Sequence, residues 1–70
     1  MKNMKIKVEN NLDEIVVEFR RIGYRKSYDW NSHLETKWIQ ARANGCISNS
    51  AFNETPYCNQ AITLAELKEM

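Results

Sequence analysis

Seventy residues, 43% of them hydrophobic and 27% charged, describe one small domain over 1–70 and exclude a disordered tail. No stretch approaches the roughly 18 apolar residues of a membrane-spanning helix. The net charge of +1 lacks the basic excess with which duplex nucleic-acid binders release counterions.

Residues 4–9 alternate Met4, Ile6 and Val8 against Lys5, Lys7 and Glu9, a half-buried strand by its period of two. Met1-Lys2-Asn3-Met4 leads into it with no apolar signal-peptide core, so a cytoplasmic setting is expected. Asn11-Leu12-Asp13-Glu14 then reads as a capping box that opens a helix over 12–22. Leu12, Ile15, Val16, Phe19 and Ile22 form its apolar stripe. Asp13 and Glu14 fall in the first turn and Arg20 and Arg21 in the last, as the helix dipole prefers, and Gly23 is the stop.

Tyr24 starts an extended segment, followed by a loop through Ser27-Tyr28-Asp29-Trp30-Asn31-Ser32. Residues 36–43 read as the second strand, and Asn44-Gly45 as a two-residue type I′ turn into a third strand at 46–49. That turn pairs Ala43 with Cys46, Arg42 with Ile47 and Ala41 with Ser48. Neither resulting face is cleanly apolar. Residues 49–61, broken by Pro56, read as a loop with a short extended stretch at 50–52. Thr63-Leu64-Ala65-Glu66 is a second capping box, opening a short helix over 64–69 with Ile62 stapled to Leu67. A helix that short must dock to persist. The expected fold is α+β in the order β-α-β-β-α: a three-stranded antiparallel sheet with the main helix and the short C-terminal helix on one face. Such a core supplies only about 3–5 kcal/mol, so a second copy of the chain would add stability and a homodimer is a natural state.

Catalytic and metal chemistry find little footing. His33, Cys46 and Cys58, with Asp29 as a fourth group, lack the paired spacing of a structural zinc site. Cys46 and Cys58 read as free thiols, given no export signal. A thiol–His33 dyad needs a walled pocket that a domain of this size hardly offers. Both glycines, Gly23 and Gly45, have structural places, which leaves no phosphate loop. No enzyme, metal or cofactor is therefore expected.

The distinctive pattern is aromatic and basic. Tyr24, Arg25, Lys26, Tyr28 and Trp30 interleave rings with cations. Such mixtures anchor protein interfaces or stack the bases of nucleotides and single strands; the plain alternative is a small core with solvated cations. Trp38 is either core or site, and Arg42, on its face, offers a cation–π partner. If that face is uncovered, Trp38, Gln40, Arg42 and Ile47 form a binding patch. The candidate binding residues are Arg25, Lys26, Tyr28, Trp30, Trp38 and Arg42.

The strand at 4–9, the helix end Phe19-Arg20-Arg21-Ile22-Gly23-Tyr24, Trp30 and Trp38, the Asn-Gly hairpin and the closing Ile62-Thr63-Leu64-Ala65-Glu66-Leu67 together resemble the small accessory proteins of tailed bacteriophages. The resemblance implies a β-α-β-β-α plan. It also implies an activity by binding: some such proteins block a host factor, including anti-defence proteins that inhibit nucleases or CRISPR complexes or sequester nucleotide signals. It carries no site motif, so no residue role follows from it. The expected function is non-enzymatic capture of a host protein or defence complex in the host cytoplasm, the alternative being a nucleotide or single-stranded nucleic-acid binder on the same surface.

Overall fold

The computed structural model describes residues 2–52 and 60–70. In chain order they form β1 (Met4–Lys7), α1 (Leu12–Arg21), β2 (Arg25–Lys26), β3 (Trp38–Ala41), β4 (Cys46–Ser50), β5 (Gln60–Ile62) and α2 (Leu64–Lys68). The α+β class is as expected. The sheet is not: it has five strands in the order β2-β4-β3-β1-β5. β1, β3 and β4 make the antiparallel centre, while β5 joins β1 and β2 joins β4 in parallel. Two short edge strands thus convert the expected three-stranded antiparallel sheet into a mixed one.

At the start of α1 the expected capping box does not form. The Asn11 side chain makes no cap bond to the helix. Its Oδ1 instead accepts the Glu9 N–H at 2.8 Å, closing the turn after β1, where Asn10 sits at φ 60. Glu14 turns to Lys68 of α2.

The far end of α1 follows its sequence signal closely. Gly23 takes φ 104, a left-handed value that a Cβ disfavours. Its N–H donates to Arg20 O at 3.1 Å and the Tyr24 N–H to Phe19 O at 2.9 Å, the two bonds of a Schellman cap. The hydrophobic contact that accompanies this cap is aromatic: Phe19 and Tyr24 meet edge to face, 5.4 Å between centroids. The Tyr24 hydroxyl then donates to Lys2 O at 2.7 Å and accepts the Lys2 N–H at 3.1 Å, tying down the chain before β1.

The hairpin between β3 and β4 corrects the expected register. Ala41 pairs with Ile47 rather than Ser48. Arg42 faces Cys46 through its N–H, and Gly45 N–H returns to Arg42 O, both at 2.9 Å. The loop is therefore three residues, 43–45, with Gly45 at φ 87 in the left-handed position of a bulge. The Asn44 side chain accepts the Cys46 N–H at 3.1 Å and stabilises this form. A one-residue slip moves every side chain of one strand to the other face. Ile39, Ala41 and Ile47 now share a face, and the sheet has a clean apolar side.

That side carries Met4, Ile6, Ile39, Ala41, Ile47 and Ile62 from the strands, and it meets Ile15, Val16 and Phe19 of α1 and Leu67 of α2 in one core. Both helices therefore lie on one face. α2 opens on a complete capping box: Glu66 N–H to Thr63 Oγ1 at 3.2 Å, and Thr63 N–H to Glu66 Oε1 at 3.1 Å. Its other end is held by Arg21, whose guanidinium donates to the carbonyls of Leu67, Lys68 and Met70 at 3.2 Å each. Leu67 and Lys68 lie in the last turn, where carbonyls lack regular helical partners, and Leu67 O also accepts the Met70 N–H at 3.2 Å. Cys46 is a free, half-buried thiol, while Cys58, Pro56 and most of the expected loop lie outside the described residues.

Candidate functional site

The register sorts the candidate residues onto two surfaces. The sheet face away from the helices holds three cross-strand rows. The first is Arg25, Cys46 and Arg42. The second is Ser48, Gln40, Lys5 and Ala61, and the third is Ser50, Trp38 and Lys7. With strands about 4.8 Å apart, Arg25 and Arg42 stand roughly 10 Å apart on either side of the Cys46 thiol. Gln40 and Ser48, at 5% and 9% exposure, lie buried in the middle. No buried side-chain nitrogen or oxygen among the described residues lacks a hydrogen-bond partner.

Trp38 is half-buried on this face. Its cation partner is Lys5, whose Nζ stands 5.3 Å from the ring centroid, and not Arg42. Four residues along one strand separate Trp38 from Arg42 by about 13 Å, too far for contact, whereas Lys5 is a diagonal neighbour across the ladder.

Lys26, Tyr28 and Trp30 belong to the other side. Lys26 pairs with Ile47, on the core side of the edge strand. Its Nζ sits 4.9 Å over the Trp30 ring. Trp30 is packed against the core, held by its N–H to Ser27 O at 3.1 Å. Asn49 pins the loop beyond it: its side chain bonds Asn31 N and O at 3.1 and 2.7 Å and Thr36 Oγ1 at 3.0 Å. Trp30 thus closes the open end of the core, and Tyr28 beside it stands fully in solvent.

The structure therefore brings Arg25 and Arg42 together, and Lys26 with Trp30, but it separates Trp30 from Trp38. Lys5 and Lys7 are the neighbours that sequence reading left out of the site. Their alternation in β1 placed them opposite Ile6; what the sequence lacked was the pairing of β1 with β3. Among the described residues no group of three or more His, Cys, Asp or Glu is placed to hold a metal ion, and no helix is long and apolar enough to cross a membrane.

The two faces differ in charge balance. Among the described strand residues the outer sheet face carries Lys5, Lys7, Arg25 and, at the hairpin, Arg42, with no carboxylate. Glu9, just past β1, reaches Lys7 at 3.9 Å with both side chains largely exposed. The helices carry the carboxylates Asp13, Glu14, Glu18, Glu66 and, at the cap, Glu69, mixed with the cations Arg20, Arg21 and Lys68. Compared with known proteins, the chain matches no family model, and no curated protein or solved structure is significantly similar to it.

Proposed function

We propose that this chain is a non-enzymatic binding module that captures an acidic partner on the sheet face away from its helices. The observation that carries the reading is the unequal charge balance: four cations and no carboxylate on the described strands and hairpin of one face, carboxylates mixed with Arg20, Arg21 and Lys68 on the helices. Such an arrangement steers an acidic surface to the sheet side in preference to the mixed helix side. Trp38 supplies aromatic contact area beside the cations, the residue types that dominate protein hot spots. Following the resemblance to phage accessory proteins, the partner put forward is a host defence protein, blocked stoichiometrically in the host cytoplasm.

The test inverts the charge of the face without touching the core. The double variant Arg25→Glu/Arg42→Glu and a helix-side control, Arg20→Glu, are compared with the natural chain in pull-downs from bacterial lysate, with proteins and small molecules analysed together. Capture of an acidic protein that the double variant loses and the control keeps supports the reading. Equal capture by all three overturns it. Trp30→Ala is a poor probe, because that ring packs against the core.

A further inference from the structure

We propose that the pocket at the end of the β1–β3 pair binds a flat aromatic ring carrying phosphate, as in a nucleoside monophosphate or the 5′ end of a single strand. The pocket is about 320 Å³ and is lined by Lys7, Val8, Lys37 and Trp38. That volume lies at the lower end of the roughly 300–1,000 Å³ range of small-ligand sites.

Its walls pair one ring with several ammonium groups. Trp38 is half-buried, so its indole is fixed in place. Lys7 is its direct partner across the ladder. Lys37, adjacent in the chain, is anchored by its carbonyl accepting the Val8 N–H at 2.8 Å and its own N–H donating to Ser50 O at 2.7 Å. Lys5 adds a third ammonium, 5.3 Å from the ring centroid.

Among the described residues, the counter-charge on the two lining lysines is slight. Lys37 makes no ion pair among the described residues. Glu9 meets Lys7 at 3.9 Å with side chains 63% and 72% exposed, a solvated pair that an incoming anion can replace. Two lysines lining one small pocket suit a dianion such as a phosphate monoester better than a single carboxylate. The indole offers the stacking surface that a base uses, and stacking is indifferent to which base. The pocket shares Lys7 and Trp38 with the capture surface, but the two tests are separable: Arg25 and Arg42, which test acidic-protein capture, lie at the opposite end of the sheet face.

The chain has two tryptophans, so its indole N–H signals in a nitrogen–proton NMR spectrum are two, and Trp38→Phe assigns them. The full chain is titrated with AMP, with adenosine, with inorganic phosphate and with a short 5′-phosphorylated single strand. The expected result is a saturable shift of the Trp38 signal with AMP or the phosphorylated strand while Trp30 stays still. Adenosine or phosphate alone should bind on the order of tenfold more weakly, as each makes only half of the contacts. Lys7→Ala and Lys37→Ala should each weaken binding on the order of fivefold. Lys37→Gln, which keeps the stem, should do the same. Saturation by AMP identifies a free nucleotide as the source, and saturation by the strand alone identifies a strand end. A Trp38 signal unmoved by both, or binding that the lysine variants leave unchanged, overturns the proposal.

Discussion

Gly23→Ala tests the structural reasoning where it is sharpest. Gly23 holds φ 104, and the cap that it forms aligns Tyr24 beneath Phe19, both buried. An L-residue forced into left-handed backbone costs about 1–2 kcal/mol. At about 4–8 °C per kcal/mol for a 70-residue domain, the variant should melt roughly 5–15 °C lower. Thermal unfolding followed by far-UV circular dichroism reads the shift. A chain this short can be made by chemical synthesis, which allows the mirror-image control: D-alanine at position 23 prefers positive φ and should melt no lower than the natural chain. If the L- and D-alanine forms melt together, the cap is not what positions Tyr24, and the reasoning fails.

Thr63→Ala removes the Oγ1 acceptor of the Glu66 N–H in the α2 capping box, leaving only the backbone bond from Thr63 N–H to Glu66, and should cost about 1 kcal/mol, read as faster amide exchange in α2 and a lower melting temperature. Ile39→Ala empties a fully buried site in the central strand and should lose about 2–5 kcal/mol, visible as a large drop in the denaturant midpoint. Lys68 has its pKa raised above the ordinary 10.5, first by the hydrogen bond it donates to the Glu14 carboxylate and then by that group's charge. A raised pKa gives stability that is present below the unfolded value and lost as pH rises through the folded one. The natural chain should therefore lose a small increment of stability above about pH 10.5 that Glu14→Gln already lacks; parallel stability–pH curves for the two would contradict the pairing.

Much of the helical layer was legible because helices encode their own limits. The stripe of Ile15, Val16 and Phe19, the stop at Gly23 and the Thr63–Glu66 box all act within a few residues. Asn11 misled for a local reason: its side chain has two backbone N–H partners within reach, and the turn at Glu9 takes it. The sheet was less legible. Asn44-Gly45 fits a two-residue turn as well as a three-residue loop with Gly45 in the bulge, and one residue of difference exchanged the faces. β2 and β5, two and three residues long, exist because distant strands offer free edges, which no local pattern announces. The same distance hid the site. Arg42 looked like the partner of Trp38 because they are close in sequence, while Lys5 owns that position through a pairing of β1 with β3.

The account turns on a positive electrostatic field around Trp38 on the outer sheet face, and collisional quenching reads that field without any knowledge of the partner. In a Trp30→Phe chain verified as folded, the fluorescence of Trp38 is measured against iodide and against caesium at matched ionic strength. With Lys5 over the ring and Lys7 beside it, iodide should quench more strongly than caesium relative to free tryptophan, and added inert salt should narrow the gap. Equal quenching by the two ions, or stronger quenching by caesium, would contradict the account.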